Sequence, residues 1–209
     1  EWNSQGNIFN LSSLWGPRWD TQLTISRYKY ISNYQSITST KDSSNLVTRG
    51  TNNENNVLID QSLKFHNRYN GIKDHKLEFG IDESQYRINF NNFRSESQLS
   101  NSSELKQIAY LYSFYFQDKW SYNKSTSIQS GIRISYYSKY NNYNFSPRLS
   151  IVKKLKNSLT LEASAGKYFQ YIHQINNDNI TRGLQGMWVL SSKNIPIIKS
   201  NNFHFGLNW

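Results

Sequence analysis

The sequence contains no cysteine, and it lacks the motifs of common catalytic and metal sites. Without cysteine the chain forms no disulfide, no thiolate metal site and no cysteine nucleophile. Its four histidines form no HxH or HExxH pair, and no GxSxG or Walker-type loop is present. The sequence therefore predicts no metal, no cofactor and no enzymatic activity.

Long hydrophobic runs are also missing from the sequence. No stretch approaches the roughly 18 apolar residues of a membrane-spanning helix, so helical membrane proteins are excluded. β-barrel membrane proteins are not excluded, because their strands carry apolar residues at only every second position. The mean hydropathy of -0.75 is compatible with a membrane protein of that type.

Blocks of charge are absent as well. The formal net charge is +10, but lysine and arginine are spread along the whole chain. This distribution favours a solvated surface or a polar lumen over a groove for nucleic acid, and we expect no nucleic-acid partner.

Alternation of apolar and polar residues is the dominant pattern of the sequence. In the segment Ser146–Gln170, two alternating runs are joined by a tight polar turn, which predicts a hairpin with one apolar and one polar face. Similar runs recur along the chain and give a count of nine strands. The aromatic content of 15% argues against disorder.

The connections between the predicted strands alternate between short and long. The long ones, predicted as loops, are Ile37–Asn56, Asn91–Lys106 and Tyr171–Ser200. Outer-membrane barrels have short periplasmic turns, longer extracellular loops and strands of about ten residues. A soluble all-β sandwich also alternates, but its strands are usually about 5–6 residues long, and the runs here are longer.

We therefore predict an all-β fold, an antiparallel up-and-down transmembrane β-barrel in the bacterial outer membrane. Single-chain bacterial barrels have even strand numbers, and an open sheet would leave two unpaired edges in lipid. We expect residues 1–209 to be a partial barrel domain, an arc of about nine strands from a larger barrel. Beyond Glu83 the apolar residues change parity to Tyr86, Ile88 and Phe90, which indicates a bulge or the end of the lipid-facing zone.

Five short motifs occur in the second half of the sequence: FQDKW at 116–120, GIR at 131–133, SPRLS at 146–150, AGKYFQ at 165–170 and the loop sequence MWVLSSKNI at 187–195. Their order resembles that in TonB-dependent outer-membrane receptors, and the loop sequence resembles a loop of the Bacteroidetes type. The resemblance is best from Tyr110 onward.

The resemblance implies a 22-stranded barrel that is closed by an N-terminal plug domain. The whole protein would import a nutrient ligand, such as a siderophore, glycan or peptide, with energy relayed by TonB. By the same resemblance, we expect the plug domain and the final strands to lie outside this chain. The implied partners are outer-membrane lipid, the protein's own plug domain, TonB, a surface lipoprotein and a small-molecule or oligomeric nutrient.

Candidate residues for the interior of the barrel are Arg133, Arg148 and Glu162. All three lie on the polar parity of their runs, so we expect them to face the lumen and the plug. A salt-bridge lattice that only holds the plug is the alternative to direct contact with a ligand.

Four tryptophans near short turns are expected to form an aromatic girdle at the periplasmic side of the membrane: Trp15, Trp19, Trp120 and Trp209.

The loop Tyr171–Ser200 is the predicted ligand site at the extracellular mouth. Aromatic and hydrogen-bonding groups suit sugars, siderophores and peptides, and loops often carry function. A loop that packs only on itself is the alternative. Two other functions also remain open, a passive porin or structural barrel and a barrel-borne hydrolase. The candidate ligand-binding residues are Tyr171, His173, Gln174, Arg182 and Trp188.

Overall fold

The computed structural model describes residues 1–41, 47–96, 99–156, 159–176 and 186–209. These residues fold almost entirely into β-strands. Within them no helix is long and apolar enough to cross a membrane, a finding that has no bearing on proteins that cross with strands. The strands are β1 (Trp2–Leu14), β2 (Trp19–Lys41), β3 (Val47–Tyr69), β4 (His75–Glu96), β5 (Leu99–Asn123), β6 (Thr126–Tyr137), β7 (Asn142–Lys156), β8 (Leu159–Gln170), β9 (Ile172–Asn176), β10 (Gly186–Leu190) and β11 (Ile198–Asn208).

Nine of these strands form one antiparallel meander. The order across the sheet is β1-β2-β3-β4-β5-β6-β7-β8-β11, so each strand pairs with its neighbour along the chain until β9 and β10 form a separate hairpin. Among the described residues no pairing joins the edge strands β1 and β11. The predicted all-β antiparallel arc of nine strands is confirmed.

The outer face of the sheet carries a continuous apolar belt. Residues of one parity are in register from strand to strand, because each cross-strand pair points to the same face. Most of these side chains are exposed in the chain alone, as the 58% exposure of Ile81 illustrates, whereas Leu23 and Ile134 are half-buried. A lipid-facing surface has this composition. One complete row of the belt consists of Leu23, Phe65, Ile81, Phe114, Ile134 and Phe145.

The strands β2 to β5 extend well beyond this belt. The segments Ile37–Asn56 and Asn91–Lys106, predicted as loops, are largely strand in the structure, and that part of the prediction is wrong. The reason is that polar residues on both faces remove the period of two, whereas the backbone hydrogen bonds of a hairpin need no apolar face. The long predicted loop Tyr171–Ser200 likewise contains β9, β10 and the start of β11.

The change of parity in β4 is not caused by a bulge. The registers of β3 with β4 and of β4 with β5 run without a shift past Glu83. Tyr86 and Ile88 therefore lie on the inner face, where they belong to an apolar cluster or pack against it. The strand simply leaves the apolar belt, which was the second of the two explanations.

Aromatic residues line the short-turn end of the sheet on the outer face. Trp15, Trp19, Trp120 and Trp209 all lie there, and Trp209 is 98% exposed. Trp19 contacts Tyr69 edge to face, with the ring centroids 5.8 Å apart. These positions are those that an interfacial girdle requires.

Candidate ligand site on the inner face

A network of charged and aromatic side chains crosses the inner face at the level of the apolar belt. The guanidinium of Arg133 on β6 lies 3.0 Å from the carboxylate of Asp82 on β4. The same guanidinium lies 5.1 Å from the centre of the Tyr115 ring on β5, a cation–π distance. The Tyr115 hydroxyl in turn contacts Nδ1 of His66 on β3. Four neighbouring strands are thus linked by side chains that face the interior.

Arg148 and Glu162 also lie on the inner face, but they are not part of that network. Arg148 on β7 stacks its guanidinium 4.8 Å from the centre of the Tyr168 ring. Glu162 on β8 accepts a hydrogen bond of 3.1 Å from the amide of Asn208. In the register of the sheet both residues lie on the same face as Arg133. Contact with the plug stays a prediction for all three interior residues.

The hairpin of β9 and β10 packs against the inner face above the network. The backbone N–H of Leu190 donates to the Gln107 side-chain oxygen at 2.8 Å, and the Tyr137 hydroxyl donates to the carbonyl of Ser191 at 3.0 Å. Apolar side chains fill the space between hairpin and sheet. The buried members of this inner cluster are Leu58, Ile88, Ala109, Tyr137, Tyr171 and Leu190.

Tyr171 is buried between the hairpin and the sheet. Its ring lies 4.8 Å from that of Tyr137, centroid to centroid. Burial raises the pKa of its phenol, whose hydroxyl has no hydrogen-bond partner among the described residues. In this conformation the ring of Tyr171 anchors the segment after β8 to strand β6.

His173 on β9 is buried as well. Its Nε2 lies 2.6 Å from the Ser191 hydroxyl, which itself donates to the carbonyl of Pro196 at 3.4 Å. The hydroxyl therefore accepts from Nε2–H, which fixes the neutral tautomer. Burial lowers the pKa of His173, and the backbone of Pro196 opposes this in part.

Trp188 and Gln174 face each other across the hairpin register. Trp188 meets the Tyr30 ring of β2 edge to face at 6.3 Å, and its indole Nε1 is buried without a hydrogen-bond acceptor among the described residues. Gln174 is exposed. Arg182 lies outside the described residues. Tyr171, His173 and Trp188 thus lie in the hairpin or directly beside it. Their role in ligand binding stays a prediction.

Sequence reasoning missed the partners that these residues meet. Asp82, Tyr115 and Gln107 were not singled out, although all three lie on the inner parity of their strands. One signal was available, because Tyr30 of β2 and Ile88 of β4 are large residues on the otherwise polar parity. Such residues indicate that another part of the protein packs on the inner face at that level and excludes water.

Within the described ranges, no group of three or more histidine, aspartate or glutamate side chains is placed to hold a metal ion.

Comparison with known families identifies the fold. Residues 2–209 match the family described as TonB dependent receptor-like, beta-barrel. The chain belongs to this family. Proteins of the family are receptors of the bacterial outer membrane, and that is where this chain resides. The narrower Bacteroidetes-type assignment stays a prediction. No curated protein matches the chain.

Several solved structures have a similar fold. The ferric preacinetobactin receptor BauA of Acinetobacter baumannii has a TM-score of 0.63 and 11% identity over 99% of this chain. The RagAB peptide transporter has a TM-score of 0.59 and 14% identity over 99% of it. The ferric yersiniabactin uptake receptor FyuA of Yersinia pestis has a TM-score of 0.52 and 14% identity over 98%. The chain spans 35%, 28% and 42% of these three structures, respectively.

Proposed function

We propose that this chain is part of a receptor that takes up a nutrient ligand across the outer membrane by TonB-dependent active transport. The observation that carries the proposal is the match of residues 2–209 to the receptor barrel family. The arrangement of the sheet supports it, since the outer face is apolar and the inner face holds the network of Asp82, Tyr115 and Arg133. A polar wall of this kind suits contact with a plug domain and with water.

The ligand and the partners belong to the same proposal. The similar solved structures are named for uptake of two ferric siderophores and of peptides. A siderophore, a peptide or a glycan is therefore the class of ligand that we infer. The proposed partners are the protein's own plug domain, TonB and a surface lipoprotein. The family consists of transport receptors, and we propose no enzymatic activity for this chain.

The hairpin of β9 and β10 is the part of the ligand site that this chain would contribute. It lies at the long-loop end of the sheet, and Gln174 is exposed there. The buried indole Nε1 of Trp188 lacks an acceptor among the described residues, so a small rearrangement of the hairpin would offer a donor to a bound molecule. Arg182 belongs to the same connection in the sequence and completes the proposed set.

Energy-dependent uptake in cells tests this function. Cells that lack the parent gene and cells that carry it are compared for accumulation of a radiolabelled ferric siderophore, a peptide and an oligosaccharide. We expect accumulation of one of the three only with the gene, with TonB and with an intact proton-motive force. Flux that persists after addition of an uncoupler would support the passive porin instead.

Variants of the hairpin then test the site. Replacing His173, Arg182 and Trp188 by alanine should weaken uptake, because each lost stacking or charge-assisted contact is worth about 1–3 kcal/mol. A matched control replaces Lys41 and Arg49, which are exposed at the far ends of β2 and β3. Assembly is checked by heat-dependent gel mobility. Normal uptake in the hairpin variant and loss in the control would move the site elsewhere.

A further inference from the structure

A band of positive charge lies on the outer face of the sheet, directly above the apolar belt. Lys29 of β2 and Arg87 of β4 occupy the same cross-strand row, through Ile59 of β3. Arg27 lies one row closer to the belt, and Lys106 of β5 lies one row farther from it. Strands are about 4.8 Å apart and alternate residues about 6.8 Å, so these four cations extend over only about 15–20 Å.

The height of this band coincides with the expected edge of the membrane. Lys29 follows the rim residue Trp19 by ten residues on the same strand. With a rise of about 3.4 Å per residue and a strand tilt of about 40°, ten residues climb about 26 Å. The apolar band of outer-membrane barrels is about 25 Å tall. Trp19 therefore marks the periplasmic interface, and Lys29 the extracellular one.

Three of the four cations have no protein counter-ion in the described part of the chain. Arg27, Lys29 and Arg87 take part in none of its ion pairs, whereas Lys106 is held by Glu104 at 2.6 Å. Two other acids lie nearby: Glu83, on the outer face at the upper edge of the belt, and Glu1, whose carbonyl accepts a hydrogen bond from the backbone N–H of Asn33. Long basic side chains at such an interface extend their charged ends to the polar phase, where an anion can meet them.

Beyond the cations the outer face becomes rich in amides and hydroxyls. The next row consists of Asn33, Asn55, Asn91 and Glu104. A cavity of about 740 Å³ lies over this part of the wall, and these four residues are among those that line it. From bottom to top the outer face thus presents apolar side chains, then cations interspersed with Ile31, Val57, Ile59 and Ile108, then groups that hydrogen-bond to sugars.

This sequence of layers is the chemistry of a phosphorylated glycolipid. We propose that the outer face of β2 to β5 binds a phosphorylated glycolipid of the outer leaflet, with its acyl chains on the apolar belt and its phosphates on Arg27, Lys29 and Arg87. Guanidinium groups bind phosphate in a bidentate manner, and an ammonium binds it as a point charge. The amide-rich row above receives the sugar headgroup. The site depends on the outer-membrane location and not on uptake, so its failure leaves the proposed transport untouched.

Binding of purified lipid to the full-length parent receptor tests the proposal. The probe is bisphosphorylated lipid A in neutral detergent, and the affinity is measured at low and high salt. We expect the variant R27Q/K29Q/R87Q to bind about tenfold more weakly or worse, since each basic residue near a charged lipid surface contributes about 1 kcal/mol. High salt should reduce the difference, because it screens exposed charges.

A control with the same loss of charge decides whether position matters. The variant R18Q/K73Q/K124Q removes three cations from the short turns at the opposite rim, and it should bind like the wild type. Lipid A stripped of its phosphates should bind weakly to every variant. Equal affinity of wild type and R27Q/K29Q/R87Q would overturn the proposal, as would an equal loss in the control or equal binding of the stripped lipid.

Two further measurements distinguish a lipid site from a phosphate site and cover the case in which the triple variant does not assemble. Inorganic phosphate at the same concentration should not displace the lipid, and full displacement would mean a site for free phosphate in place of a lipid site. If R27Q/K29Q/R87Q fails to assemble by heat-dependent gel mobility, R87Q alone and the charge-retaining R27K/R87K are measured instead. R87Q should weaken binding and R27K/R87K should keep most of it; the reverse order would refute the assignment.

Discussion

The two halves of strand β4 direct their apolar side chains to opposite faces of the same sheet. Near the short turn, Phe79 and Ile81 point outward, and Ile81 is 58% exposed. Past Glu83, Tyr86 and Ile88 point inward, and Ile88 is fully buried under the hairpin of β9 and β10. The backbone ladder is continuous through both halves.

The comparison shows that the apolar residues of an alternating strand lie on whichever face of the sheet is shielded from water. In the lower half the outer face meets lipid and the inner face holds charges. In the upper half the inner face is covered by the hairpin, and the outer face carries the basic band and amides. A strand needs no change of geometry to pass from one environment to the other, because its residues point to the two faces in turn.

The largest expected effect comes from a charge in the lower outer face. Ile81→Arg in the parent protein should destabilise the barrel by about 2–4 kcal/mol, because the position lies near the bilayer midplane. Asn91→Arg, on the same face of the same strand but above the membrane, should change stability by less than about 0.5 kcal/mol. Denaturant unfolding in lipid vesicles measures both. Equal costs would mean that the membrane boundary between Ile81 and Asn91 is wrongly placed.

A smaller loss should follow from truncation in the upper inner face. Ile88→Ala should weaken the docking of the hairpin by about 2–3 kcal/mol, because it removes buried contacts and leaves a cavity. Ile81→Ala is the matched change in the lower half, and it should cost little, since lipid fills the space. Hydrogen exchange of the β10 amides gives the readout. Unaltered protection of β10 in the Ile88 variant would contradict the inner cluster as the anchor of the hairpin.

Most of the fold was predictable from the sequence because it depends on local pattern. Strand β8 alternates from Leu159 to Gly166, and strands β1 to β8 pair in sequence order, so nearest-neighbour pairing assembles most of the meander. The upper parts of the strands were not predictable in the same way. Asn52, Asn53, Asn55 and Asn56 offer no apolar face, and only the ladder shows that they belong to β3.

The site was less accessible to sequence reasoning because it is made of distant contacts. Gln107 and Leu190 are separated by 83 residues, and nothing in the local pattern of either one indicates the other. The parity of β6 predicts an inward position for Arg133, yet its partner Asp82 comes from a strand that is not its neighbour. Contacts of that kind depend on the width and curvature of the sheet.

A hydrogen bond of this long-range kind gives the third test. Gln107→Met should cost about 1–2 kcal/mol of hairpin docking, because the buried N–H of Leu190 loses its acceptor. Gln85→Met removes a side-chain hydrogen bond of 2.7 Å to Tyr110 on the exposed outer face, and should cost less than about 0.5 kcal/mol. Hydrogen exchange of β10 compares the two. A larger effect at Gln85 would reverse the proposed difference between the faces.

The smallest expected effect is a dependence of hairpin docking on pH. The pKa of His173 in the folded state lies below its ordinary value of 6.5, because burial disfavours the charged imidazolium. When the hairpin undocks, the ring regains its ordinary pKa and binds a proton more readily. Docking is therefore at full strength above about pH 6.5, and it weakens as the pH falls below that value. Hydrogen exchange of β9 and β10, corrected for the intrinsic pH dependence of exchange, should show less protection at pH 5.5 than at pH 7.5.

The variant His173→Gln separates this effect from other titrations. Glutamine can still donate to the Ser191 hydroxyl, which the Nε2–H of His173 contacts in the wild type, but it does not titrate. We expect the variant to keep the same protection at both pH values. His204, on the edge strand β11, is exposed, and His204→Gln should leave the pH dependence as it is in the wild type. If His173→Gln loses protection at pH 5.5 as the wild type does, the proton is bound by another group, and the neutral His173 is not what couples the hairpin to pH.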